Sequence, residues 1–104
     1  MKLLFICNAN LHRSVTAEEI FKDRFDTKSA GLDPIAKQQL TKIELEWADT
    51  VFVMEDWMRT KISEDFPKEY MMKKIINLDI PDVYSYMQPK LVEMLKKTMK
   101  QCLK

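Results

Sequence analysis

Glycine is almost missing from this chain: Gly31 is the only one in 104 residues, and prolines number four. So little of either leaves no material for linkers, low-complexity stretches or internal repeats. It also excludes a nucleotide-binding loop of the kind in which a glycine-rich stretch precedes Lys-Ser or Lys-Thr. Cysteine occurs twice, as Cys7 and Cys102, far apart in sequence, which is no disulfide framework and reads as a reduced intracellular chain. Histidine occurs once, as His12, and a Cys7–His12 pair lacks further ligands at zinc spacing, so neither a metal nor a cofactor is expected. No apolar run is long enough to span a membrane. The opening Met1–Cys7 is too short for a signal-peptide core and has no small-residue cleavage site, so the expected location is cytoplasmic. The formal net charge is +1, and no overall field draws the protein to nucleic acid or to a membrane. Any anion site must be local.

What is present suits one soluble domain over residues 1–104: 46% hydrophobic residues to build a core and 32% charged residues to cover it. No interface signal stands out, which makes a monomer the expectation. Apolar runs alternate with helical patterns from end to end. Lys2–Ile6 reads as a buried strand, and Arg13–Phe25 as a helix with Ala17, Ile20, Phe21 and Phe25 on one face. Thr27–Ala30 is a weaker strand, ended by Gly31 and the Asp33-Pro34 turn. Thr41 with Glu44 forms a capping-box pattern that starts a short helix. Thr50–Met54 reads as a strand, residues 55–63 as a helix, the segment after Pro67 as a helical turn, and Lys74–Leu78 as the last strand. A helix over residues 88–103 carries Leu91, Leu95, Met99 and Cys102 on one stripe. The eight methionines, among them Met54, Met58, Met71, Met72, Met94 and Met99, are expected to fill core gaps. Trp47 and Trp57 read as packing residues, with Trp57 also placed to rim a pocket.

Four strands separated by helices imply parallel pairing, because parallel neighbours need a crossover. The fold class is therefore α/β: a three-layer, four-stranded parallel sheet with helices on both faces. In such sheets ligands sit at the carboxyl ends of the strands. Cys7 and Asp82 both follow strand ends.

The segment Cys7-Asn8-Ala9-Asn10-Leu11-His12-Arg13-Ser14 joins the first strand to the first helix. A helix start exposes unpaired N–H groups and the positive end of a dipole, which suits an anion. Small and amide-bearing residues can curl so that further N–H groups point inward, and Asn8 and Asn10 tolerate the positive backbone angles this needs. Helix start and Arg13 together favour the thiolate form of Cys7, and Ser14 can donate its hydroxyl to the sulfur. Arg13 offers a planar fork matched to two phosphate oxygens. The blander alternative is an inert cysteine closing a strand. The arginine six residues on, the serine after it and the strand-loop-helix context favour chemistry. His12 reads as a solvent-facing loop residue, or else as a modulator of the thiolate or a contact to substrate.

A thiolate attacking a phosphate ester needs a proton for the departing oxygen, and a carboxylic acid in reach contributes roughly 10²–10⁴ in rate. The segment after the last strand offers Asp79 and Asp82. Asp82 lies farther out and beside Tyr84, whose ring can flank a substrate; Asp79, at the strand end, suits orienting the loop or Arg13. Either aspartate also fits ordinary turn chemistry. Spacing favours Asp82 without excluding Asp79.

At these two loops the sequence resembles the low-molecular-weight protein tyrosine phosphatases, through Phe5-Ile6-Cys7, Arg13-Ser14, Ala17-Glu18, Ser29-Ala30-Gly31, Leu40-Thr41, Trp47-Ala48-Asp49, Val51–Met54 and Asp79–Tyr84. The resemblance spans essentially the whole chain and is nearest to a short microbial branch. It implies a flavodoxin-like fold of the phosphotyrosine phosphatase I type. It also implies Cys7 as nucleophile, Arg13 as clamp, Ser14 as support for the thiolate, Asn10 as loop-shaping amide and Asp82 as general acid. Phosphate would be held by the loop Asn8, Ala9, Asn10, Leu11, His12, Arg13 and Ser14, with Tyr84 beside the substrate. Departures from the pattern are Ala9 for glycine, His12 for a second cysteine, and Val15 and Val83 for prolines. The stretch between Gly31 and Thr41 is short where typical members carry an insert that walls the pocket, which implies a shallower and more open site.

The activity expected is hydrolysis of a phosphate monoester, with a phosphotyrosine protein or a small phosphoester as partner. A nucleotide or an RNA end phosphate is the alternative substrate, and nucleic acid enters only in that role. The lysines of the last helix (Lys90, Lys96, Lys97, Lys100, Lys104) fit a solvated face better than a nucleic-acid stripe. Arsenate reduction would need relay cysteines, and Cys102 reads as core. A non-catalytic phosphate-binding module would need neither Cys7 nor Asp82.

Overall fold

The computed structural model describes residues 1–102. Four strands, β1 (Lys2–Cys7), β2 (Asp26–Gly31), β3 (Thr50–Val53) and β4 (Lys74–Asn77), form one sheet in the order β2-β1-β3-β4, and every pair is parallel. The helices α1 (Arg13–Phe21), α2 (Lys42–Trp47), α3 (Asp56–Asp65), α4 (Pro67–Met72) and α5 (Pro89–Cys102) supply the crossovers and the final layer. α1 packs on β1, β2 and α5, whereas α3 packs on β3, β4 and α4, and α2 on β1 and α4. The sheet is thus covered on both faces, and the expected three-layer α/β architecture is what the chain adopts. The central strands β1 and β3 are buried almost throughout, which is why they read as unbroken apolar runs rather than alternating ones. Phe5 stacks between Phe21 and Phe52, with ring centroids 5.9 and 5.3 Å away, and ties α1 to the sheet centre.

The elements match the periodicity except at their ends. α1 stops at Phe21 instead of Phe25. The Phe25 N–H still donates to Phe21, but Asp26 N–H already pairs with the Met1 carbonyl, so the sheet claims the last turn. Phe25 packs against the core from that turn. Thr41 caps α2 as its pattern predicts: its Oγ1 accepts from Ile43 N–H (3.2 Å) and Glu44 Oε1 accepts from Thr41 N–H (3.0 Å). Such a cap contributes about 1 kcal/mol. The core role expected of Met71 and Met72 is corrected, as they are 83% and 74% exposed. The short α4 turns Tyr70 inward, beside Phe66 just before it, and leaves both methionines on its outer side. Trp57 is likewise half-exposed, whereas Trp47 packs on the core. Cys102 packs against the core beside the α5 stripe, and the expected end of that helix at Leu103 lies outside the described residues.

The chain leaves β1 toward β2 on one side and returns past it to β3. Strand order therefore reverses at the carboxyl end of β1. That edge, where Cys7 ends β1, is where such sheets open a crevice.

Candidate active site

Cys7 is the last residue of β1 and is buried, with its Sγ 2.9 Å from Ser14 Oγ. Asn10 Nδ2 donates to the same Ser14 oxygen at 2.8 Å. With its oxygen engaged by that amide, the serine hydroxyl has its proton free to donate to sulfur. Asn10 takes the left-handed backbone (φ 56°) that lets the loop double back; Asn8, expected to share this role, does not. Asn10 and Ser14 are both buried, and neither lines the cavity described below.

The loop's curl has a visible cause. Three successive carbonyls, of Cys7, Asn8 and Ala9, accept N–H groups from Leu32 (3.1 Å), Asp33 (3.0 Å) and Lys37 (3.3 Å) in the segment that follows β2. In a planar trans peptide, C=O and N–H point in opposite directions. With those carbonyls drawn backward, the amides of Asn8, Ala9 and Asn10 face away from the segment that follows β2, and Asn8 and Ala9 line the cavity described below. The result is a nest of partial positive charge beside the start of α1. The short segment between Gly31 and Thr41 thus acts as the backing plate of the loop. Gly31 lies against it so closely that a Cβ there would stand 2.6 Å from the Asn8 oxygen and 2.6 Å from Ala36 Cβ.

Arg13, the first residue of α1, is 2% exposed. Its Nη1 donates to Glu55 Oε2 at 2.8 Å and to the Ile80 carbonyl at 2.7 Å, which fixes the guanidinium plane. Its Nε is buried and bonds to nothing among the described residues. A buried guanidinium N–H without a hydrogen bond costs about 1–3 kcal/mol or more. Asp82 Oδ1 stands 3.7 Å from that nitrogen, on a side chain 65% exposed at the cavity mouth. The cavity, of about 230 Å³, is lined by Cys7, Asn8, Ala9, Leu11, His12, Arg13 and Asp82. It is smaller than the 300–1,000 Å³ typical of small-molecule pockets.

The sequence-predicted residues thus converge, with three adjustments. Tyr84 is directed elsewhere: its hydroxyl donates to Met94 Sδ on α5 at 2.9 Å, and it forms no part of the cavity wall. The nearby hollow that holds Asn10, Leu11 and Lys37 is flanked instead by Tyr86. Asp79 does not reach Arg13; it sits exposed at a left-handed turn (φ 56°), its N–H held by Asn77 Oδ1 at 2.9 Å. The carboxylate that Arg13 reaches is Glu55, whose sequence position marks only the start of a helix. Its one signal is position, two residues after β3 at the carboxyl edge. His12 is exposed on the rim and makes no side-chain cap to α1. Among the described residues no group of three His, Cys, Asp or Glu side chains is placed to hold a metal ion. No helix there is long and apolar enough to cross a membrane.

A scan against protein-family models and a search of curated proteins both found no match. Solved structures do match over nearly the full length. A tyrosine phosphatase from Erwinia amylovora superposes with a TM-score of 0.78 at 19% identity, covering 98% of this chain and 90% of that one. The tyrosine phosphatase Wzb from Escherichia coli K30, in complex with phosphate, gives 0.76 at 20% identity over 97% and 94%. A YwlE arginine phosphatase mutant, its active-site cysteine replaced by serine and that serine phosphorylated, gives 0.74 at 21% identity over 100% and 97%. Similarity at this level of identity establishes architecture: the chain has the flavodoxin-like fold of the low molecular weight tyrosine phosphatases.

Proposed function

We propose that the protein hydrolyses phosphate monoesters through a cysteinyl-phosphate intermediate. The observation that carries this reading is the buried Arg13, whose Nε makes no hydrogen bond among the described residues and stands 3.7 Å from Asp82, lining one cavity with Cys7, Asn8 and Ala9. In the first step the Cys7 thiolate attacks phosphorus and forms an S–P bond as the P–O ester bond breaks. Asp82 gives its proton to the departing oxygen. Arg13 and the loop amides hold the phosphoryl oxygens as charge redistributes over them. In the second step water attacks phosphorus, the Asp82 carboxylate takes the water's proton, and the S–P bond breaks to return the thiolate, which the Ser14 hydroxyl stabilises. The reading requires no second copy of the chain, since one copy carries the nucleophile, the clamp and the acid. Two free thiols, Cys7 and Cys102, suit a reducing, cytoplasmic setting.

The small cavity leaves the ester's organic part outside, against the exposed side chains of Leu11 on the rim and Val83 next to Asp82. Apolar surface there favours an aryl leaving group, and so phosphotyrosine in a protein or a small aryl phosphate. Hydrolysis of p-nitrophenyl phosphate tests the reaction class. Phosphotyrosine peptides, phosphoarginine peptides, nucleotides and RNA with end phosphates then rank the substrates. Cys7→Ser is expected to abolish turnover while inorganic phosphate still binds, and vanadate is expected to inhibit the unmodified enzyme. Turnover retained in Cys7→Ser would overturn the covalent mechanism.

A further inference from the structure

The loop that carries Asp82 is tied to the rest of the molecule at two separated points. Near its start, Ile80 N–H donates to the Met54 carbonyl (2.8 Å), and the Ile80 carbonyl accepts from Arg13 Nη1 (2.7 Å). Near its end, Met87 N–H donates to Thr16 Oγ1 at 2.9 Å, a fully buried side chain on α1. Between these ties Ser85 N–H is taken by Gln88 Oε1 (2.9 Å), while the Asp82 side chain is 65% exposed and ion-pairs with Arg13 Nε at 3.7 Å.

The Thr16 contact is unusual in kind. A threonine inside a helix commonly turns its hydroxyl back to a carbonyl of its own helix. Here the hydroxyl oxygen instead accepts a bond from a loop 71 positions further along the chain. The donor, Met87, is in the left-handed backbone region (φ 58°), which a residue with a side chain keeps only where its surroundings hold it there. The Thr16 oxygen is the group that holds that N–H. Because α1 also begins with Arg13 and Ser14, one helix mounts the clamp, the support of the sulfur and the far end of the acid loop.

We propose that Thr16 is a positioning residue which, through Met87, keeps Asp82 over the cavity at the distance proton transfer needs. This rests on the reading of Asp82 as the general acid. The turn itself is closed by the Gln88 N–H on the Ser85 carbonyl (3.1 Å), so without the tie it is the turn's anchorage to α1 that is lost, and Asp82 spends less time within reach of the leaving oxygen. The measurement is kcat/KM for phenyl phosphate and for p-nitrophenyl phosphate, together with vanadate inhibition, in Thr16→Val and Thr16→Ser. Thr16→Val keeps the shape but removes the acceptor. It is expected to lower kcat/KM about tenfold for phenyl phosphate, whose departing oxygen needs the proton, and less than about twofold for p-nitrophenyl phosphate, with inhibition by vanadate unchanged. Thr16→Ser keeps the oxygen and is expected to match the parent on both esters. An equal fall on both esters, no fall on either, or a Thr16→Ser variant as impaired as Thr16→Val would each overturn the proposal. If valine destabilises the fold, Thr16→Ala serves the same comparison. A parent protein inactive on both esters would instead refute the phosphatase reading itself, so the two failures are distinguishable.

Discussion

Gly31→Ala is the perturbation whose consequence follows most directly from the geometry. The glycine's backbone angles are ordinary, so left-handed strain plays no part and the effect is steric. An added Cβ would lie 2.6 Å from the Asn8 oxygen on one side and 2.6 Å from Ala36 Cβ on the other. Carbon contacts are comfortable near 3.5 Å, so relief takes roughly 0.9 Å of movement. β2 cannot retreat easily, since Gly31 N–H donates to the Gln38 carbonyl, its own carbonyl accepts from Leu40 N–H (2.8 Å each), and it pairs in register with Cys7. The displacement therefore falls on the anion loop and its backing segment. Overpacking costs about 1–3 kcal/mol, and the stiffer unfolded chain of alanine offsets about 0.4–1 kcal/mol of that. The difference spans about 0–2.6 kcal/mol, and its middle, about 1.3 kcal/mol, corresponds to a Tm lower by roughly 5–10 °C for a domain of this size. Misplacing a catalytic constellation by about 1 Å can cost about 100-fold, so kcat/KM for p-nitrophenyl phosphate is expected to fall between about 10- and 100-fold, with weaker inhibition by phosphate. Calorimetry and steady-state kinetics on the same preparation check both figures. A Gly31→Ala enzyme within twofold of the parent in kcat/KM, with an unchanged or higher Tm, would refute the reasoning.

Asp82→Asn is expected to lower kcat/KM for phenyl phosphate by roughly 10²–10⁴ but to spare p-nitrophenyl phosphate, read from a leaving-group series of aryl phosphates. Glu55→Ala removes the carboxylate that Arg13 Nη1 reaches at 2.8 Å. It is expected to lower stability by about 1–2 kcal/mol in urea unfolding, with Glu55→Gln recovering most of the loss because an acceptor remains.

How far each residue was legible depended on whether its role is local. The strand, loop and helix around Cys7 announce themselves through an apolar run, a stretch of small and amide side chains, and Arg13-Ser14 at the helix start. The Thr41–Glu44 cap is legible for the same reason, as both partners lie within one turn. The end of α1 was not, because strand pairing by Asp26 overrode a helical periodicity that ran on to Phe25. Met71 and Met72 misled because a short helix offers no stripe from which to tell its inner from its outer face. Tyr84 misled because its position in the loop is local, but the direction of its ring is set by Met94 on α5.

The sequence alone determined that a thiol, a guanidinium and a hydroxyl would meet at the end of a first strand, since backbone spacing along one turn of chain brings them together. It also determined the parallel α/β sheet, since apolar strands separated by helices have no other economical pairing. Only the tertiary structure decided what surrounds that meeting: Glu55 against Arg13, the segment after Gly31 drawing three carbonyls backward, and Thr16 bonded to the far end of the loop that carries Asp82. These are contacts between residues distant in the chain. They exist only once the sheet has brought its carboxyl edges side by side, and no local spacing encodes them.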